Sequence, residues 1–207
     1  MKNVLFIGAH PDDVELGCGG TIIKHIKEGD NVFILILSRG ENGQNGRKIN
    51  RVNESIKGLC SAGVKKSNIK VLNIPDTDFP KERKKIFIAI EKLCKFKKID
   101  RVYTHTKKEY HQDHIVANEE TLRAARNVLD ILTYESNAHT YADFSPNFFV
   151  DIADVIDKKL SLLSFFKSQL DKDYLEVQNI KSLAKMRGYQ GKNEYAEGFE
   201  IIRMVSK

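Results

Sequence analysis

Val4-Leu5-Phe6-Ile7-Gly8-Ala9-His10-Pro11-Asp12-Asp13-Val14-Glu15 joins an apolar run of strand length to a turn that holds a histidine and two adjacent carboxylates. In open α/β sheets, chemistry gathers where strands end and helices begin, and this stretch has that form. A second apolar segment, Arg101-Val102-Tyr103-Thr104, is followed by His111-Gln112-Asp113-His114. The two loops are distant in sequence, but parallel strands deliver both to one edge of a sheet. Working outward, strands are predicted near 3–9, 31–37, 69–73, 101–104 and 130–134, separated by helices near 17–28, 48–62, 81–97 and 114–128. This alternation predicts βαβ units, and with them an α/β fold: a Rossmann-like three-layer sandwich with a mostly parallel sheet. The last third departs from it, with a strand at 148–152, a helix over 153–169, another over 177–186 and a final strand at 199–205.

A catalytic zinc takes three protein ligands, here of nitrogen and oxygen type, and keeps one position for water. His10, Asp13 and His114 supply such a set. Asp12, beside a ligand and not needed as one, is placed to take a proton from water whose pKa the metal lowers to about 7. Taken alone, His10-Pro11 reads as a turn before a helix with Asp12 or Asp13 as its N-cap. The second histidine cluster favours a metal instead, because two carboxylates beside a histidine repel one another unless a cation is present. His114 opens a helical pattern, where the dipole favours the neutral imidazole that ligation needs; His111 is the alternative third ligand. Iron(II) fits a His-Asp-His site as well as zinc. Glu15 reads as an anchor for the loop.

The segments AHPDDVELGCGG at 9–20 and HQDH at 111–114 resemble the two signatures of the LmbE-like or PIG-L family of zinc-dependent N-deacetylases. Arg51-Val52-Asn53-Glu54, Ile74-Pro75-Asp76, the stretch 146–152, Lys167-Ser168-Gln169 and the stretch 195–199 follow in the order that family shows. The resemblance implies hydrolysis of an N-acyl group, usually an acetyl on an amino sugar such as N-acetylglucosamine or a sugar conjugate. The alternative substrate is a non-sugar amide such as a thiol conjugate or a natural product. It implies His10, Asp13 and His114 as metal ligands, Asp12 as general base, His111 facing the scissile carbonyl, and Asp113 holding His111. It places Arg51 near substrate, where the residues alone read Arg51 and Glu54 as an i,i+3 helix ion pair. It also brings Tyr195 and Glu197 to the pocket. Gln112 stands where many relatives carry proline.

A chain of 207 residues, 41% hydrophobic, is read as one domain over 1–207. No apolar run is long enough to span a bilayer, and Met1-Lys2-Asn3 leads into a strand and not a secretory segment, so the expectation is a cytoplasmic enzyme without a membrane partner. Cys18, Cys60 and Cys94 form no C-x-x-C pair and read as reduced thiols. Cys18 is read as a packed small residue. The formal charge of +6 comes with no aromatic interleaving or nucleic-acid motif, so the basic runs 81–85 and 95–98 read as solvated helix faces, not a nucleic-acid surface. The loop Ser38 to Gly46 is rich in Gly and Asn and reads as a rim loop on the His10 edge; it lacks both G-x-G-x-x-G and the Walker lysine. His105 is expected to line the pocket, Asp76 to be a turn residue, and His25 to be a surface residue; His139 has no partner cluster. A homo-oligomer is left open. A metal- or sugar-binding protein without turnover is disfavoured by the presence of Asp12.

Overall fold

The computed structural model describes residues 1–44, 51–136, 143–169 and 172–206. Five parallel strands, β1 (Asn3–Gly8), β2 (Asn31–Ser38), β3 (Ile69–Ile74), β4 (Arg101–His105) and β5 (Asp130–Tyr134), are joined by helices α1 (Asp13–Lys27), α2 (Arg51–Ser61), α3 (Phe79–Lys97) and α4 (Gln112–Ala124). After β5 come β6 (Phe148–Asp151), α5 (Ile156–Leu163), α6 (Val177–Gly191) and β7 (Ala196–Arg203). The seven strands lie in the order β3-β2-β1-β4-β5-β7-β6, and β7 runs antiparallel to both of its neighbours.

Side-chain alternation along β1 accounts for the three layers. Val4 and Phe6 face a core completed by Val14, Leu16 and Ile22 of α1, Leu59 of α2, Leu162 of α5 and Ile180 of α6. Leu5 and Ile7 face the opposite way, toward Ile86 and Ile90 of α3 and Val116 and Ala117 of α4. Successive strand residues point to opposite faces, so a strand apolar at every position is one covered on both sides. Helix α1 comes close to its neighbours at two of its three glycines. A Cβ at Gly17 would sit 2.4 Å from the Tyr134 ring, and one at Gly20 would sit 2.6 Å from Ile152. Cys18 packs between these glycines into the core, as expected of a small apolar residue.

The elements depart from expectation mainly at their ends. Helix α1 starts at Asp13, four residues early, and α4 at Gln112. The start predicted for the second helix, 48–50, lies outside the described residues. The single helix predicted over 153–169 is broken: a 3-10 turn at Ala153–Val155, then α5, then a second 3-10 turn at Lys167–Gln169. Phe166 turns into the core at 0% exposure, and the Ser168 N–H donates to Glu54 Oε1 at 3.1 Å instead of to a preceding carbonyl. Helix α6 runs to Gly191 and ends on Lys192 in the left-handed region, φ 61°. No helix among the described residues is long and apolar enough to cross a membrane.

Candidate metal centre

Because β1 and β4 are parallel neighbours, paired from Val4↔Arg101 to Phe6↔Tyr103, the loops after them open side by side. Ala9 N lies 3.1 Å from His105 Nε2, so the two strand ends are in contact. His10, in the first loop, and Asp13, at the start of α1, then meet His114 in the first turn of α4. His114 Nε2 lies 3.4 Å from His10 Nδ1 and 3.5 Å from Asp13 Oδ1, and His10 Nδ1 lies 3.6 Å from Asp13 Oδ2. Ligands 2.0–2.1 Å from a tetrahedral zinc stand about 3.4 Å from one another; each histidine meets a different oxygen of Asp13 near that separation, and one donor atom from each of the three residues lies within 4.8 Å of the others. All three side chains are buried, and they open on a cavity of 340 Å³ that Asp12, Arg51, His111 and Tyr174 also line.

The nitrogens facing away from the triangle are held. His10 Nε2 is 3.0 Å from Asp76 Oδ1 and 3.2 Å from Asp113 Oδ2. His114 Nδ1 meets Glu109. Asp13 Oδ2 accepts the His10 N–H at 2.6 Å and stands 3.2 Å from His105 Nε2. Burial opposes protonation of His10, yet the Asp113 and Asp76 carboxylates push it up to about 10. Burial also opposes ionisation of Asp13, but the His114 and His105 rings hold its carboxyl well below the usual range. Burial, then the His105 charge, bring His114 down to about 4, against the pull of Asp13 and Glu109. Several buried atoms around the triangle have no hydrogen-bond partner, among them Asp113 Oδ1, Glu109 Oε1, His105 Nδ1 and Arg51 Nε. So many carboxylates around three histidines, with polar valences left over, suit a bound cation.

Asp12 occupies the N-cap position of α1 but makes no capping bond with its side chain. Its backbone is held at φ 103°, a conformation that costs a non-glycine residue energy and is characteristic of functional sites. Asp12 Oδ2 accepts from Arg51 Nη2 at 2.5 Å and from the Tyr174 hydroxyl at 3.4 Å. Burial raises its pKa above the ordinary carboxylate value against the pull of Arg51. Arg51 is therefore paired across the cavity with Asp12 and not along its helix with Glu54, which binds Ser168. His111 caps α4: its Nδ1 accepts the Asp113 N–H at 3.2 Å. A neutral ring that accepts at Nδ1 carries its proton at Nε2. Its centroid lies 4.9 Å from that of His10 and 4.6 Å from that of His114.

Asp113, expected to hold His111, does so here through its main chain. Its carboxylate turns to His10 and to the Thr77 N–H at 2.7 Å, while staying within 4.8 Å of a His111 ring nitrogen. The cause is local: the cap uses the His111 ring, which leaves the Asp113 side chain to reach across to the β1 and β3 loops. Gln112, where proline was noted in relatives, donates to Thr77 O at 2.6 Å. Asp76 is not a plain turn residue, since it backs His10, accepts the Asn42 N–H and lines the cavity. Glu15 anchors α2 by accepting from Ser55 Oγ. His105 is fully buried behind the His10–Asp13–His114 triangle and does not line the cavity.

Three further expectations fail on geometry. Glu197 lies away from the cavity, clamped on α1, and Tyr195 stands beside Lys185. His25 is buried, between Asp30 at 2.8 Å and the Tyr103 hydroxyl at 3.1 Å. His139 and the rim loop from 45 onward lie outside the described residues; Asn42 and Gly43 of that loop do line the cavity. Sequence reasoning gave Glu109 no role. Its one signal was an acidic residue four positions after a histidine and five before another.

Residues 5–125 match the family model described as PIG-L, GlcNAc-PI de-N-acetylase. The chain is 32% identical over 173 residues to an uncharacterized deacetylase, YaiS, of Escherichia coli, covering 81% of this chain and 91% of that one. It is 28% identical over 226 residues to the diacetylchitobiose deacetylase of Thermococcus kodakarensis, covering 98% and 84%. Among solved structures, the N,N'-diacetylchitobiose deacetylase of Pyrococcus horikoshii superposes with a TM-score of 0.82 at 25% identity, over 97% of this chain and 84% of that one.

Proposed function

The chain belongs to the PIG-L family of de-N-acetylases, and on that premise we propose that it is a zinc-dependent hydrolase removing an N-acetyl group from an amino sugar or amino-sugar conjugate, N-acetylglucosamine units included. The observation that carries the reading is the His10–Asp13–His114 triangle, opening on a cavity that also holds Asp12. His10, Asp13 and His114 would hold the ion. Zinc bound there would polarise the acyl oxygen and lower the pKa of water to about 7, and iron(II) would serve similarly.

The chain's own groups divide the remaining work. Asp12, its basicity raised by burial, takes the proton of the attacking water and returns it to the amine nitrogen as the C–N bond breaks. The products are acetate and a free amine. Arg51 and Tyr174 fix the carboxylate of Asp12, and Arg51 lines the wall against which substrate rests. The Nε2–H of His111 stabilises the oxyanion that forms on the acyl oxygen. Three free cysteines suit a reducing, cytoplasmic setting.

The test is acetate and amine release from N-acetylglucosamine, diacetylchitobiose, N-acetylated sugar conjugates and non-sugar acetamides, with metal content measured alongside. Release from the sugars in equal amounts, lost on chelation and restored by zinc, is the expected result. Release confined to the non-sugar amides would move the substrate class, and no release from any of them by metal-loaded enzyme would overturn the reading.

A further inference from the structure

Behind the triangle four side chains close a ring. His114 Nε2 stands 3.5 Å from Asp13 Oδ1, Asp13 Oδ2 3.2 Å from His105 Nε2, and His105 Nδ1 3.5 Å from Glu109 Oε1; the other Glu109 oxygen meets His114 Nδ1. Two members, Asp13 and His114, belong to the metal site proposed above, on which this inference rests. The other two, Glu109 and His105, have 0% exposure and no face on the cavity. We propose that Glu109 and His105 act as one positioning unit that fixes the tautomer of His114 and the orientation of Asp13, and thereby the affinity of the centre for its metal.

Among the described residues, the ion pairs of Glu109 are with His105 and His114, with neither lysine nor arginine. A carboxylate buried without a lysine or arginine is costly, so its place depends on the two rings and on the Ser136 hydroxyl, which donates to Oε2 at 3.3 Å. Contact with Glu109 puts the His114 proton on Nδ1 and leaves the Nε2 lone pair directed at His10 and Asp13. A carboxylate on the far nitrogen of a ligating histidine is a device that fixes its tautomer and orientation and raises its basicity. His105 carries the same carboxylate's influence to the second ligand. Its ring spans Glu109 and Asp13, lies 3.9 Å centroid to centroid over His114, and is held by the Tyr134 hydroxyl at 3.1 Å. Its main-chain oxygen accepts from Asn118 Nδ2 at 2.7 Å, so strand end and helix move together. Ten consecutive positions, 105–114, supply three of the four members, and α1 supplies the fourth.

The experiment measures zinc affinity by chelator competition and the visible spectrum of the cobalt(II)-loaded full chain, for wild type, Glu109→Gln, His105→Gln and the double variant. Thermal unfolding of each metal-free protein checks that it is folded. Glu109→Gln should bind zinc about 10- to 100-fold more weakly and shift the cobalt bands. His105→Gln should weaken binding by less, and the double variant should lose little beyond Glu109→Gln, because members of one unit do not add independently. If Glu109→Gln does not fold, His105→Gln alone carries the test, through its affinity and its spectrum. Wild-type affinity and spectrum in the folded variants, or losses that multiply as independent sites do, would overturn the inference. A wild-type protein that takes up no metal would overturn the metal-site reading itself, and this inference with it.

Discussion

Helix α1 touches two buried clusters of charge, and they are built on opposite terms. Toward its middle, Glu197 Oε1 accepts the Gly20 N–H at 2.8 Å and Lys159 Nζ at 2.7 Å, while Oε2 accepts the Thr21 N–H at 2.7 Å and the Thr21 hydroxyl at 2.6 Å. Lys159 also donates to Leu16 O at 2.7 Å. No atom of this pair is left without a partner. At the start of the helix, by contrast, the His10–Asp13–His114 triangle is ringed by carboxylate and imidazole atoms that make no hydrogen bond. A matched cluster is finished without a ligand and holds the fold together. An unmatched one is what a fold retains where something else is to bind.

The comparison can be broken by substitution, and the largest effect is expected at the triangle. Alanine at His10, Asp13 or His114 should strip most of the metal and with it turnover, leaving the metal-free protein folded; full metal content in all three variants would remove the assignment. Next comes Asp12→Asn. Asparagine tolerates positive φ better than most residues, so the variant isolates the charge, and kcat should fall about 10²- to 10⁴-fold with metal retained. Near-normal turnover would give the proton to another group.

Lys159→Met tests the other cluster. Breaking a buried pair from one side costs about 3–5 kcal/mol, so denaturant midpoints should drop steeply, while kcat per folded molecule stays close to wild type. A Lys159→Met protein that is folded, stable and inactive would erase the distinction between the two regions. His111→Ala follows, with an expected loss of about 10²- to 10³-fold in kcat and little change in metal content. Loss of metal there would make His111 a ligand.

The smallest effect belongs to a third buried group, His25. Burial, against the pull of Asp30, sets its folded pKa below the ordinary 6.5, with Arg101 lowering it further and Glu28 opposing; the Phe6 ring and Tyr103 hydroxyl are its other neighbours. In the window just below 6.5 the unfolded chain binds more protons, so stability rises with pH there and falls on acidification. Asp30, lowered from 3.8, adds a loss of the same sign at lower pH. Urea melts from pH 5 to 7 should show a shallower slope for His25→Gln than for wild type. Equal slopes would mean that His25 titrates alike in both states.

How much of this was legible depends on which kind of relation each residue enters. The sheet was legible because β1, β2, β4 and β5 are apolar runs broken by turns, and strand end followed by His-Pro-Asp-Asp or His-Gln-Asp-His marks an edge. The relations between loops were not. Asp76 behind His10, Arg51 across to Asp12 and Glu109 behind His114 join elements whose spacing in sequence carries no periodicity. Glu54 illustrates the difference: three residues after Arg51 on one helix, it nevertheless turns to Ser168. Tyr195 and Glu197 match a family stretch, yet a recurrent stretch does not say whether it serves the site or the frame, and here Glu197 serves the frame. The break after α5 was hidden because Phe166 fits a helical pattern and a core position equally well.

Parallel pairing of β1 with β4 also orders events in time. His10 and His114 stand 104 positions apart, and at synthesis rates of 5–20 residues per second they emerge from the ribosome roughly 5–20 s apart. Until β4 docks beside β1, His10 and Asp13, on the loop after β1 and at the start of α1, stand without His114 and without a carboxylate from the second loop behind them. Contacts of such long sequence separation form late and slowly. The His10–Asp13–His114 triangle is thus an outcome of the central pairing and not a seed for it, and a nascent chain that has yet to reach His114 carries the acidic half of the site without the group that completes it.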